Sequence, residues 1–240
     1  MSNIAVVFAG GVGSRMKTST RPKQFLEIHG RPVIVHTLEV FERHPEIDGI
    51  AVSILPEWRE HFERIVARYE LHKVRWIVDG GATGQESRHK ALRAVVADEG
   101  DDAVVLIHDG VRPLIDADLV SNNIQAVKQH GSAITCTKMT ETVVVADGEG
   151  IGEVIPRDPL WTAQAPQSFL AGDVLGVYDQ AVADGEYDSI DSCSLMRHYG
   201  RTLHRVEGPR TNIKITTASD YYICRTFMTL AEDREAFGAE

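Results

Sequence analysis

A chain of 240 residues, 43% hydrophobic and 25% charged, has the composition of a globular protein that can bury a sizeable core, as one large domain or two small ones. Acids outnumber bases 35 to 25, and the formal charge of −10 excludes a general nucleic-acid or anionic-membrane surface, so any phosphate ligand must be held by a local basic site. Three widely spaced cysteines (Cys136, Cys193, Cys224) form no CxxC pair, which fits reduced thiols in a cytoplasm better than a disulfide framework or a zinc site.

The N-terminus enters a strand at residues 4–8 with no basic region or long apolar run before it, and no 18-residue apolar segment follows. Neither export by such a signal nor a membrane span is expected. Helix and strand signals then alternate: helix at 32–41, strand at 49–54, helix at 57–69, strand at 74–78, helix at 84–97, strand at 103–107. Continuous apolar strands between amphipathic helices predict an α/β fold, with a mainly parallel sheet covered on both faces and a ligand at the carboxyl ends of the strands. A helix from 118 to about 130 leads to a strand at 133–137. Segments 142–146 and 152–155 then flank the turn ADGEG like a hairpin, within a β-arm at about 138–160. Two strands alone bury too little to be stable, so such an excursion is expected to pack against a second subunit. Helices at 171–183 and 190–198, a strand at 203–206 and a helix from 218 complete a single domain spanning 1–240.

Chemistry concentrates in three clusters. The first strand runs into AGGVGSRM (residues 9–16), and RPKQF (21–25) follows. Glycines at 10, 11 and 13 let the backbone turn its N–H groups toward an anion, while Arg15 and Lys23 supply positive charge suited to a triphosphate. The run lacks the Gly-Lys-Ser or Gly-Lys-Thr of a P-loop. Met16 stands where a dinucleotide fingerprint needs its third glycine, and no acid for a ribose occurs some 20 residues on. The second cluster, HDGVRP (108–113), begins where a buried strand ends. Asp109 there suits a magnesium ion and Arg112 a second phosphate, although an Asp capping the next turn beside a surface Arg is an equally available reading. His108 reads as a packed structural residue and receives no role. In the third, NIKIT (212–216), Lys214 sits in a β-like context; a strand folded back to the cleft would bring it to the charge that develops in phosphoryl transfer, whereas an exposed strand lysine is the bland alternative. Arg157, after the hairpin, is a surface Arg by default and a substrate clamp otherwise.

AGGVGSRM, PKQF, DGG followed by Ser87, HDGVRP, PQSF and NIKIT, in this order and spacing, closely resemble the cytidylyltransferases that include the methylerythritol-phosphate and ribitol-5-phosphate enzymes. The match covers nearly the whole chain. The resemblance implies a Rossmann-like nucleotidyltransferase fold and a homodimer whose β-arms reach across to the partner. It also implies attack of a sugar-alcohol phosphate on the α-phosphorus of CTP, with release of pyrophosphate and use of magnesium. By the same resemblance, Ala9, Gly10, Gly11, Gly13, Arg15 and Lys23 surround the triphosphate, and Gly81, Ala82 and Ser87 surround cytosine and ribose. Asp109 and Arg112 match the metal and acceptor-phosphate positions, and Lys214 matches the lysine that stabilises the pentacovalent transition state. Thr142 and Arg157 match arm residues that contact the acceptor from the neighbouring subunit, and Asp191 falls in the acceptor site. The acceptor phosphate is already an anion, so no general base is required.

GSRM, the valine of HDGVRP, APQSF, Asp191 to Cys193 and NIKITT look more like the ribitol-5-phosphate branch than the methylerythritol one. Gly110, Ala165 and Ile190 depart from the pattern, which expects alanine, threonine and threonine there; loss of the last hydroxyl leaves another pentitol or tetritol phosphate open as the acceptor. A relative that uses UTP or GTP, and a regulatory module that binds nucleotide without catalysis, are the remaining alternatives.

Overall fold

The computed structural model describes residues 1–10 and 21–238. The first strand, β1 (Asn3–Ala9), is followed by a two-stranded ribbon, β2 (Glu27–Ile28) and β3 (Arg31–Pro32), and then by α1 (Val33–Arg43), β4 (Gly49–Ile54), α2 (Arg59–Arg68), β5 (Val74–Asp79), α3 (Gly84–Glu99) and β6 (Val104–Asp109). Next come α4 (Ala117–His130), β7 (Ser132–Lys138), the hairpin β8 (Val143–Asp147) and β9 (Gly150–Ile155), and β10 (Trp161–Leu170). The chain ends with α5 (Ala171–Ala183), α6 (Ser192–His198), β11 (Arg205–Glu207) and α7 (Ala218–Phe237).

Seven strands form the central sheet in the order β11, β7, β10, β6, β1, β4, β5. All pairings are parallel except those of β10, which runs antiparallel to both β6 and β7. From β1 the chain builds outward through β4 to β5 and then returns to the other side of β1 as β6. The direction of winding therefore reverses between β1 and β6, and their carboxyl ends diverge into a crevice, the place where open α/β sheets bind ligands.

Alternation along the strands explains why both faces are covered. Ala5 and Val7 of β1, Ile50 and Val52 of β4, and Val104 and Leu106 of β6 point to one face, where they pack with Leu38 and Phe41 of α1, Phe62 of α2 and Ile124 of α4. Ile4, Val6, Ala51, Val105 and Ile107 point to the other and meet Leu92 of α3, Val174 and Tyr178 of α5 and Leu195 of α6. A strand buried on both faces has no polar side to show, hence the continuous apolar runs. The starts of α3, α4, α6 and α7 carry side-chain caps: Thr83, Asp116, Asp191 and Thr217 each accept from the backbone N–H three residues on, and Thr217 with Asp220 completes a capping box.

Several expectations need correction. The helix anticipated at 57–69 begins as a short 3-10 turn at Pro56–Trp58, because a proline at the first position favours a helical start but supplies no side-chain cap. The helix expected from 190 starts at Ser192, where Asp191 caps it and leaves Ile190 89% exposed. The strand expected at 203–206 is Arg205–Glu207. Strand β10 is not among the strands the sequence pattern predicts, since Pro166 lacks a ladder donor and the pairing to β7 shifts register between Ala163 and Gln167. NIKIT is not a strand. It is an irregular segment held by single contacts: Asn212 Nδ2 donates to the Ala165 carbonyl at 2.7 Å and the Ile215 amide to the Val111 carbonyl at 3.0 Å. Ile215 is buried with Ile28, Val33, Val111 and Cys224 in a small separate cluster that fastens the tail to the crevice.

Candidate active site

The crevice is built first from the end of β1. Ala9 and Gly10 lie at its mouth, and the buried Gln24 side chain donates to the Ala9 carbonyl at 2.5 Å. That bond ties the 3-10 turn Lys23–Phe25 to the strand end, with the Phe25 ring tilted against Trp58 at a centroid distance of 5.1 Å. Lys23 is therefore delivered by a fixed turn. Burial raises the pKa of Asp220, at the start of α7, but amide hydrogen bonds from Thr217 and Thr216 together with the charge of Lys23 bring it below its ordinary value. Gly11, Gly13 and Arg15 of the glycine-rich loop lie outside the described residues.

Facing Gly10 is the turn that leads into α3. Ser87 Oγ accepts from the Gly81 amide at 3.0 Å and donates to the Thr83 carbonyl at 2.9 Å, and the Ala82 amide donates to Glu86 at 2.7 Å. A side chain at 81 would run into Glu86, and one at Gly10 would stand 3.4 Å from Ser87 Oγ. Gly10, Gly81, Ala82 and Ser87, 71 or more residues apart in sequence between the first and the others, thus form adjoining walls.

The end of β6 supplies the charged centre. Asp109 is 6% exposed; Arg112 Nε donates to its Oδ2 at 2.8 Å, and Lys214 Nζ lies 2.5 Å from Oδ1. Burial would raise the Asp109 pKa, but Lys214 and then Arg112 outweigh it and hold the carboxyl well below the usual carboxylate range. Lys214 Nζ and Oδ1 form a close ion pair, and a carboxylate oxygen has lone-pair capacity beyond that one contact. Such an oxygen suits a hard divalent cation that takes one carboxylate and draws its other ligands from phosphates and water. Among the described residues no group of three or more His, Cys, Asp or Glu side chains is placed to hold a metal.

Arg112 also donates from Nη1 to the Asn212 carbonyl at 2.7 Å, so the β6 loop and the tail brace one another. His108, fully buried, is pushed down to about 4 by burial and stays neutral; its Nε2 lies 3.0 Å from the Arg112 carbonyl and its ring meets Phe41 edge-on. It supports the Arg112 loop from behind, in keeping with a structural histidine.

Beside this centre opens a cleft of about 220 Å³, lined by Asp109, Arg112 and Lys214 and by Phe8, Arg88, Gln164, Ala165, Gln167, Ile190 and Asp191 among others. Asp191 borders it with both oxygens engaged, one by the Ser194 amide at 2.7 Å and one by Gln167 Nε2 at 2.9 Å. Thr142 and Arg157 do not line it. They lie exposed at the base of the hairpin, with Arg157 Nη1 donating to the Thr140 carbonyl at 3.0 Å. Arg88 and Gln164 had no signal in the sequence: arginine on a helix and glutamine on a strand are surface residues by default, and only the packing of α3 against α5 turns Arg88 inward.

Gly10 and Gly81 at the switch point, beside a carboxylate gripped by two cations, fit a nucleotide-handling transferase of the α/β class. The family model described as IspD: 2-C-methyl-D-erythritol 4-phosphate cytidylyltransferase matches residues 3–230, and the chain belongs to that family. It is 48% identical over 239 residues to a ribitol-5-phosphate cytidylyltransferase of Streptococcus agalactiae serotype V, covering 99% of this chain and 100% of that one. A ribitol-5-phosphate cytidylyltransferase of Vibrio parahaemolyticus is 44% identical, with 98% and 100% covered. Among solved structures, 4-diphosphocytidyl-2C-methyl-D-erythritol synthase of Anaerococcus prevotii superposes with a TM-score of 0.82 at 28% identity, covering 95% of this chain and 96% of that one. The chain is a cytidylyltransferase of mixed α/β fold.

Proposed function

We propose that the protein transfers the cytidylyl group of CTP to D-ribitol 5-phosphate, giving CDP-ribitol and pyrophosphate, in the cytoplasm. The observation that carries the chemistry is the convergence of Lys214 and Arg112 on Asp109 at the mouth of the sheet. Full-length similarity to ribitol-5-phosphate enzymes supports the choice of acceptor.

In this reading Ala9, Gly10, Gly11, Gly13, Arg15 and Lys23 cradle the triphosphate, and Gly81, Ala82 and Ser87 hold cytosine and ribose. Arg112 and Asp191 border the acceptor. A phosphate monoester is already nucleophilic, so the work of the site is alignment and offset of charge: Arg15, Lys23 and Lys214 face the negative charge that grows around the α-phosphorus. Asp109 holds Lys214 ready, and its carboxylate would be the protein ligand for Mg²⁺, which would supply further offset of phosphate charge. Thr142 and Arg157 flank the base of the exposed hairpin and are not among the residues that line the cleft of their own chain, which supports a homodimer in which each arm completes the other copy's acceptor site.

Pyrophosphate release from CTP and Mg²⁺, with D-ribitol 5-phosphate and 2-C-methyl-D-erythritol 4-phosphate offered in parallel, tests the reading. Release with ribitol phosphate is the expected result. Release with the methylerythritol ester alone would reassign the acceptor to the compound in the family's own description.

A further inference from the structure

Residues 184–191, the connection between α5 and α6, run past the start of α3 and reach the rim of the cleft. The two large apolar side chains of this strap, Tyr187 and Ile190, are 56% and 89% exposed, so hydrophobic burial does not fix its course. Polar groups of α3 and its cap do. Thr83 Oγ1 donates to the Tyr187 carbonyl at 2.8 Å, and Arg88 Nη2 to the Ser189 carbonyl at 3.1 Å. Gln85, 2% exposed, supplies both a donor and an acceptor: Nε2 donates to the Glu186 carbonyl and Oε1 accepts from the Ser189 amide, each at 2.7 Å. One side-chain amide therefore grips the strap's backbone at two points.

Ile190 lines the same cleft as Asp109, Arg112 and Lys214. Little of it is buried, so its place on the rim is set by its two neighbours. Ser189 is held from α3, and Asp191 is held as the cap of α6 and by Gln167. The turn of α3 that holds the strap also builds the wall assigned to cytosine and ribose, because Glu86 and Ser87 accept from the Ala82 and Gly81 amides. Residues 85–87 thus tie the rim of the cleft and the nucleoside wall to one helix. A surface segment fastened before a ligand arrives leaves less conformational entropy to be lost when the ligand binds.

We infer that Gln85 is a positioning residue for the acceptor: it holds residues 186–189 on α3 so that Ile190 and Asp191 frame the cleft before the acceptor binds. The inference rests on the proposed transfer to a polyol phosphate. Gln85 does not itself line the cleft, and its amide contacts go to the strap's backbone, so its loss should weaken acceptor binding and leave the transfer step alone. Removing two neutral hydrogen bonds should raise the acceptor KM on the order of 3- to 10-fold, with kcat and the KM for CTP within about twofold of the natural enzyme.

The test compares Gln85→Met and Gln85→Glu with the natural enzyme, measuring kcat and KM for D-ribitol 5-phosphate and for CTP, and hydrogen exchange over 184–191 and over 80–83. Gln85→Met keeps the length of the side chain and removes both contacts; the expected result is a raised acceptor KM, an unchanged KM for CTP, and faster exchange in the strap but not at 80–83. Gln85→Glu keeps the acceptor for the Ser189 amide and loses the donor to Glu186, so its acceptor KM should fall between the other two, and it carries the test alone should Gln85→Met fold poorly. An acceptor KM or a strap exchange rate that stays at the natural value in the folded variants overturns the inference, as does an equal rise of KM for acceptor and CTP, which marks a purely structural role. If the natural enzyme releases no pyrophosphate with either polyol phosphate, the proposed acceptor class falls and this inference with it; a failure confined to the variants leaves the proposed function standing.

Discussion

Asp109 sits between two cations in a pocket that water hardly reaches, and the balance at that residue decides what the site can do. Lys214 is held 2.5 Å from a carboxylate whose charge its own presence maintains, so the ammonium is fixed before substrate arrives and pays little to reorganise. In the proposed reaction Lys214→Ala removes a charge that acts mainly on the transition state, so turnover should fall on the order of 10²- to 10³-fold, with CTP affinity little changed and far-ultraviolet circular dichroism intact. Lys23→Ala should lower turnover comparably. Near-normal turnover in both would remove these residues from the chemistry. Tyr178→Phe deletes the hydroxyl shared by Arg88 and Ser192 Oγ, the latter 2.8 Å away, and should cost about 1–3 kcal/mol of unfolding free energy because the Arg88 donor is left buried and unpaired. At this scale Asp109, Arg112 and Lys214 were legible as chemistry-bearing types in informative clusters. That one carboxylate serves both cations was not, because Lys214 is more than 100 residues away from it in sequence.

Among the elements, α6 shows how a cap and a site compete for one residue. Asp191 caps the helix through the Ser194 amide, so Asp191→Ala should lose about 0.5–2 kcal/mol in chemical denaturation. Asp191→Asn keeps a capping oxygen and should retain most of that stability. A raised KM for the acceptor in the asparagine variant would give the carboxylate a binding part beyond the cap; an unchanged KM would leave it structural. Helix α7 gives a pH signature. The Asp220 pKa is depressed in the folded chain, so its stabilising contribution is complete above the unfolded carboxyl value near 4 and drains away as pH falls through that value toward the folded one. Asp220→Asn should therefore flatten the acid limb of stability against pH below about 4, and an unchanged limb would contradict the cap's share. The long periodic elements, β4 and α5, followed directly from pattern, since each buries a face that its sequence period marks. Strand β10 escaped because its period is broken at Pro166.

Across the whole molecule, the hairpin of β8 and β9 forms a sheet of its own and leaves Val144, Val145, Ile151 and Val154 between 45% and 69% exposed. Four exposed branched side chains on a two-stranded ribbon are not stable alone, and a second copy of the chain is the partner we propose for them. Light scattering should give twice the chain mass. Replacing 142–155 with a short Gly-Ser turn should yield a folded monomer that binds CTP but transfers slowly, and full activity in that monomer would exclude a part for Thr142 and Arg157 of a second copy.

What the sequence determined by itself was local and periodic: apolar runs that had to be buried strands, helices that cover them, glycines where a backbone must approach an anion, and clustered charges that an acidic protein would otherwise not group. Tertiary structure decided which distant residues share a space. The winding reversal at β1 and β6 opens the crevice, the Ile215 cluster carries an irregular tail and its lysine to Asp109, and the packing of α3 on α5 turns Arg88 from a surface residue into part of the cleft wall. Such meetings depend on how whole elements bury their faces against one another, a property no window of sequence contains.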